Sequence, residues 1–206
     1  MIRLRYGVFA PMVDSIAPAS SNSVTVDHFE ITPDTFQGFQ CGDRITPGRH
    51  ARLSIGGAVV MSDTDYEMRT NIAAVKAAKG DVLIGGLGLG MIVMPIASKL
   101  TVRSVTVIER NKDVIACIEP SLRRSMNGTS DKVSIVHGDV FAWKPERAGR
   151  QFDFIYFDIW TDCCVDDVKP RTALHVKYRR YLRVGGKVTS WEYDHLRYLA
   201  RNGRWR

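Results

Sequence analysis

The residues best suited to chemistry sit at the ends of short apolar runs. Val82-Leu83-Ile84 passes into Gly85-Gly86-Leu87-Gly88-Leu89-Gly90 and then into a helical stretch. Glycines in such a loop let the backbone turn sharply and run close beneath a ligand, beside the positive end of a helix. The spacing Gly86-x-Gly88-x-Gly90 departs from the dinucleotide fingerprint, whose third glycine comes three residues after the second, and a tight structural turn gives the same string. A second run ends in Val107-Ile108-Glu109, nineteen residues past Gly90. A carboxylate there can accept hydrogen bonds from both hydroxyls of a ribose lying across the strand edges. A third run ends in His137-Gly138-Asp139-Val140, where an acid can accept from the exocyclic amine of an adenine, and a fourth in Tyr156-Phe157-Asp158-Ile159-Trp160. Each has a plainer reading: Glu109 with Arg110 as a surface pair, Asp139 as a helix N-cap. Four glycine-or-acid ends in this order point to a ligand crevice at the carboxyl edge of an open sheet.

The elements that must hold these residues alternate. Strands are expected over 82–85, 104–109, 133–137, 152–158 and 187–192, with helices over 91–100, 112–126 and 172–182. Val/Ile-rich strands separated by helices imply a parallel sheet covered on both faces. Upstream, residues 1–62 read as a small β lobe and residues 63–206 as the α/β domain. In the lobe, Ser23–Ile31 alternates apolar and polar, Pro33-Asp34 and the stretch from Gly42-Asp43 to Pro47-Gly48 supply turns, and Gly56-Gly57 closes a hairpin between Ala51–Ile55 and Ala58–Met61. Thr64-Asp65-Tyr66-Glu67 has the form of a capping box opening a helix over 64–79, with Gly80 as its C-terminal stop.

Composition narrows the function classes. At 206 residues, 45% hydrophobic and 25% charged, the chain is an average globular protein rather than a disordered one. Four cysteines are too few for a disulfide scaffold and have no zinc spacing, so a reduced cytoplasm is the expected compartment. Asp162-Cys163-Cys164-Val165-Asp166-Asp167 reads as an acidic loop, with no metal expected, because adjacent cysteines cannot easily share one ion. Met1–Tyr6 lacks the apolar core of a signal peptide. Val82–Ser98 is uncharged but short of the ~20 residues a bilayer needs, and it contains four glycines and Pro95, so no membrane association is expected. The net charge of +7 is unevenly placed: eleven Lys/Arg lie between Lys169 and Arg206 against Glu192 and Asp194, a surplus of nine, which leaves residues 1–168 at −2. That end, closed by Arg204-Trp205-Arg206, is either a solvated basic face or a contact for an acidic partner such as nucleic acid.

From about Ala51 to Trp191 these motifs resemble the class I S-adenosylmethionine-dependent methyltransferases, and within them the spermidine-synthase-like branch. The resemblance implies a Rossmann-like doubly wound, mostly parallel sheet, here of about five core strands without the usual last two. The uncovered edge would then be shielded by the N-terminal lobe or by a second subunit, as in a homodimer. It implies S-adenosylmethionine as cofactor, held by Gly85, Gly86, Leu87, Gly88, Gly90, Glu109, Arg110, Asp139, Val140 and Asp158. Asp158 would orient the acceptor and take its proton, and Trp160 would stack on a planar or cationic group of the substrate, unless it is a core aromatic.

The expected activity is in-line methyl transfer, with either a small molecule or a nucleic acid as acceptor. Three departures bear on the alternatives, aminopropyl transfer of the spermidine type and a non-catalytic binding module. Ile84 stands where many methyltransferases have an acid. Leu89 stands where polyamine synthases have an aspartate, and Val59-Val60-Met61-Ser62 lacks their amine-binding glutamine.

Overall fold

The structure, a computed structural model, describes residues 7–9, 12–32, 39–40, 43–146, 149 and 151–202. The expected turn at Pro33-Asp34 and the ends Met1–Tyr6 and Arg204-Trp205-Arg206 lie outside the described residues. The chain begins with a short helix α1 (Met12–Ser15) and the strands β1 (Ala19–Ser21), β2 (Val24–Ile31), β3 (Phe39–Gln40), β4 (Asp43–Arg44), β5 (Gly48–Ile55) and β6 (Ala58–Ser62). β1, β2, β5 and β6 form an antiparallel sheet in that order. Gly56 and Gly57 close the β5–β6 hairpin at φ +60 and +83, the two consecutive left-handed residues such a turn requires.

The alternating part follows: α2 (Asp65–Ala77), β7 (Gly80–Gly85), α3 (Val93–Ser98), β8 (Val102–Glu109), α4 (Lys112–Ser125), β9 (Val133–His137), β10 (Phe152–Phe157), α5 (Val168–Arg179), β11 (Leu182–Ser190) and α6 (Tyr193–Asn202). Its five strands make an all-parallel sheet in the order β11-β10-β7-β8-β9. The chain builds outward from β7 to β9, then returns to add β10 on the other side. The strand order therefore reverses between β7 and β10, where open α/β sheets bind ligands. Both faces are covered: Val82 and Ile84 share a core with Val24 and Leu53 of the β lobe, while Leu83 and Phe157 pack with Leu174 and Tyr178 of α5.

Three local expectations are corrected. Thr64 makes no cap bond to α2; its hydroxyl pairs with that of Ser62 at 3.1 Å, and Glu67 is turned away to the ligand side of the sheet. Gly80 does not stop α2. It opens β7, while Lys99 Nζ closes the helix by donating to the carbonyls of Val75, Lys76 and Ala78 at 2.8, 2.9 and 2.6 Å. Finally, β11 begins at Leu182, five residues before the expected start, because Gly185 and Gly186 form an irregularity inside the strand where the register with β10 shifts. α6 has no counterpart among the helices expected from the sequence.

At the amino ends of the strands, Arg103 and Arg183 each bridge Asp81 and Asp153. This ties β7, β8, β10 and β11 together at the edge away from the crevice. Among the described residues, no helix is long and apolar enough to cross a membrane.

Candidate active site

Four backbone hydrogen bonds continue the sheet past its carboxyl edge and fix the residues there. Gly86 N–H donates to Ile108 O at 2.8 Å, Asp158 N–H to Gly85 O at 2.8 Å, Gly138 N–H to Glu109 O at 2.9 Å and Trp191 N–H to Phe157 O at 2.9 Å. Above this edge lies a cavity of about 970 Å³, roofed by Leu53, Ile55, Val60 and Met61 of the β lobe. Gly86, Leu87, Gly88, Glu109, Arg110, Asp139, Val140, Asp158 and Trp160 all line it. Gly85 and Gly90 do not. A Cβ on Gly85 would meet the Phe157 and Val140 side chains, and one on Gly90 would meet Leu122 at 2.8 Å, so packing accounts for both.

At Gly86 and Gly88 too the missing Cβ makes room for protein, while the loop backbone lines the cavity. Gly86, at φ +94, has the Asp158 carbonyl 2.2 Å from where its Cβ would stand, and Gly88, at φ +51, has Met61 Sδ at 2.4 Å. Met61 Sδ also accepts from Leu89 N–H at 3.3 Å, so the hairpin is seated on the loop. Glu109 joins loop and sheet edge: one carboxylate oxygen accepts from Leu87 N–H at 2.8 Å, the other from Asn111 N–H at 2.7 Å. Those bonds hold the carboxylate still and leave it further lone pairs for the hydroxyls of a ribose. Asp139 caps the turn after β9, accepting from Phe141 N–H at 2.8 Å, which is its structural role. The carbonyl of Val140 accepts from Tyr178 Oη at 2.8 Å and Lys177 Nζ at 3.0 Å. The accepting carboxylate of Glu109 and the glycine loop that lines the cavity fit an adenosyl cofactor.

At the other end of the cavity the charge is negative. Asp158 and Glu67 each keep a face open to the cavity but are otherwise enclosed by protein. Burial pushes the Asp158 carboxyl up to about 7, against the pull of the Arg171 guanidinium. Burial, with the charge of Asp158 added, pushes Glu67 up to about 8. α2, which carries Glu67, is pinned over the sheet edge by two side-chain bonds. Tyr156 Oη donates to Asn71 Oδ1 at 2.8 Å and Trp191 Nε1 to Thr70 Oγ1 at 2.9 Å.

Trp160 lines the cavity with one face already taken: the Arg171 guanidinium lies 4.0 Å from its ring centre. Trp191 lines the same end. Glu67, Trp191 and Arg171 are the site residues that sequence reasoning missed. Only Glu67 left a signal, as an acid in the first turn after a hairpin. The basic tail also differs from a uniformly solvated face: Arg171 is fully buried, Lys177 caps the carbonyls of Val140 and Phe141, and Arg183 joins the Asp81–Asp153 cluster. Among the described residues, no group of three or more His, Cys, Asp or Glu side chains is placed to hold a metal ion.

No protein-family model and no curated protein matches this sequence. Solved structures do. Spermidine synthase from Thermotoga maritima superposes with a TM-score of 0.53 at 18% identity, over 85% of this chain and 55% of its own. A spermidine synthase in complex with the transition state analogue AdoDATO gives 0.52 at 18% identity over the same shares. The chain has a class I methyltransferase-like fold. A glycopeptide N-methyltransferase complexed with S-adenosyl-L-methionine is a more distant match, at TM-score 0.44 and 22% identity, over 59% of this chain and 48% of its own. At such identities the likeness is one of fold, and the chain spans 55% of the length of the spermidine synthases.

Proposed function

We propose that this protein transfers the methyl group of S-adenosylmethionine to an acceptor held between Asp158 and Glu67. The observation that carries this reading is the cavity that joins the glycine loop at Gly86 and Gly88, the fixed carboxylate of Glu109 and the acid pair at the opposite end. Glu109, with Asp139 and Val140 beyond it, would hold the adenosine; Gly86, Leu87 and Gly88 would pass beneath the methionine part; Arg110 would border the ribose. The cofactor supplies a carbon made electrophilic by the neighbouring sulfonium.

The chain's own residues align the acceptor and manage its proton. With a pKa near 7, Asp158 is ionised in a large fraction of molecules at neutral pH and takes the proton that the acceptor loses. Glu67, mostly protonated at that pH, offers a hydrogen-bond donor beside it. Alignment of acceptor and methyl group accounts for several kcal/mol of barrier, about 7–11 in good intramolecular models. The acid pair and the indoles of Trp160 and Trp191 suit a small molecule with a nitrogen nucleophile and would repel a phosphate backbone. The cytoplasm, with its reduced thiols, is the proposed compartment, and a second copy is the proposed cover for the free side of β11.

The second reading is aminopropyl transfer from the decarboxylated cofactor, favoured by the superposition on spermidine synthases over 85% of this chain. Calorimetric titration with S-adenosylmethionine, S-adenosylhomocysteine, decarboxylated S-adenosylmethionine and NAD separates the two. Methyl transfer expects binding of the first two. Preference for the decarboxylated form would replace it with aminopropyl transfer, and no binding at all would leave a binding module.

A further inference from the structure

Arg171, early in α5, is fully buried. A guanidinium is costly to bury unless its charge and its donors are met. One terminal nitrogen donates to the carbonyl of Trp191 and the other to that of Asp162, at 3.3 Å. The group lies 4.0 Å from the ring centre of Trp160 and 6.0 Å from that of Trp191. The Asp167 carboxylate stands 4.0 Å away, beyond hydrogen-bond contact, and Nε has no hydrogen-bond partner among the described residues. An ion serving stability alone would be matched or surpassed by an apolar side chain of similar volume. What the guanidinium does bind is informative: its two carbonyl partners belong to the loop that follows Asp158 and to the end of β11.

Building on the reading that Asp158 takes the acceptor's proton, we propose that Arg171 is a positioning residue for that transfer. It clamps the Asp158–Asp162 loop and Trp160 to the end of β11, and it supplies the positive charge against which Asp158 holds its negative one. The groups that face Asp158 are Glu67 from α2, the Tyr156 hydroxyl from its own strand and Arg171 from α5. Of these only Arg171 is a cation. Around Arg171 stand Asp167, Cys163, Asp158 and Tyr156. Without it, Asp158 would be an enclosed carboxyl beside a second acid, holding its proton more tightly when the acceptor arrives. The same clamp gives Trp160 one fixed orientation, with its remaining surface toward the cavity.

Carboxyl ¹³C NMR titration of Asp158 tests this without cofactor or acceptor. Arg171→Met is expected to raise the Asp158 midpoint by about one pH unit, the effect of removing a nearby opposite charge. Arg171→Lys, which keeps the charge but not the planar fork, is expected to leave the midpoint within about half a unit of wild type. It should also open Trp160 to acrylamide quenching as the clamp loosens. An unmoved midpoint in Arg171→Met, or a shift in Arg171→Lys as large as in Arg171→Met, overturns the proposal. Arg171→Gln is the second neutral variant should Arg171→Met not fold; if neither folds, unchanged Trp160 quenching in Arg171→Lys overturns the clamp. A protein that shows the Asp158 shift but binds no S-adenosylmethionine keeps this inference and loses the methyl-transfer reading. One that binds the cofactor and shows no shift does the reverse.

Discussion

Glu67 and Asp158 come from elements 91 residues apart in the chain and face one cavity closely enough that the charge of Asp158 raises the proton affinity of Glu67. Two acids in such a relation do not ionise independently. Activity should therefore rise with pH as the pair loses its first proton, near 7, and Asp158→Asn should lower turnover by about 10²-fold or more. In Asp158→Asn the midpoint of Glu67 should fall below 8, while burial, the larger cause, still holds it above the ordinary carboxylate range, read by carboxyl NMR. A Glu67 midpoint that stays near 8 would show that burial alone sets it.

The same pair predicts a cost in stability with a definite sign. Folded pKa values of about 7 and 8, above the ordinary carboxyl values of 3.8 and 4.5, mean that between those limits the native state binds more protons than the unfolded one. Stability from these groups is present below about pH 4 and is lost as pH rises through 7 and 8. Asp158→Asn and Glu67→Gln should each be more stable than wild type at pH 8, on the order of 1–2 kcal/mol by chemical denaturation, with the gain vanishing near pH 4. His175 contributes the opposite slope at lower pH. Burial holds it down to about 4 from 6.5, so its share of stability is lost as pH falls through that window.

The glycine loop offers a matched pair of substitutions. Gly86→Ala places a methyl group 2.2 Å from the Asp158 carbonyl at a left-handed φ, and should cost roughly 2–5 kcal/mol and abolish cofactor binding. Gly128→Ala, also left-handed at φ +69 but with nothing within 4 Å, should cost only about 1–2 kcal/mol and leave binding intact. Equal costs would mean that backbone strain, not the close approach, is what the loop glycines relieve.

Glu192 is a third backbone test. It sits at φ +54 between Trp191 and α6, a conformation that costs a non-glycine residue about 1–2 kcal/mol. Glu192→Gly should leave stability unchanged or raise it by up to about 1 kcal/mol, since the relieved strain offsets the added unfolded-state freedom. A clear loss on thermal denaturation would show that the Glu192 side chain stabilises the fold.

Much of the fold is legible in the residue order because strand ends announce themselves. β7, β9 and β10 lie within two residues of their expected bounds, since Val/Ile runs meet glycine or acid at the carboxyl edge. What stays hidden is set by contacts distant in sequence. Thr64-x-x-Glu67 has the spacing of a cap, but nothing local shows that Ser62 takes the threonine hydroxyl or that the cavity takes the glutamate. Arg171 is one basic residue among eleven until α5 packs it against Trp160 and Trp191. Gly185-Gly186 reads as a break and turns out to be an irregularity within β11. The end of the cavity lined by the glycine loop and Glu109 follows the backbone and could be read from it; the end lined by Asp158 and Glu67 depends on side chains brought together by tertiary packing.

The central claim is that this cavity holds S-adenosylmethionine across the sheet edge, and a crystal structure with S-adenosylhomocysteine tests it most directly. The account predicts the ribose hydroxyls on Glu109, the adenine beside Asp139 and Val140, and the sulfur above Gly86–Gly88, facing Asp158. Crystals grown at saturating ligand that show no density in the cavity, or a ligand whose ribose lies away from Glu109, would contradict it.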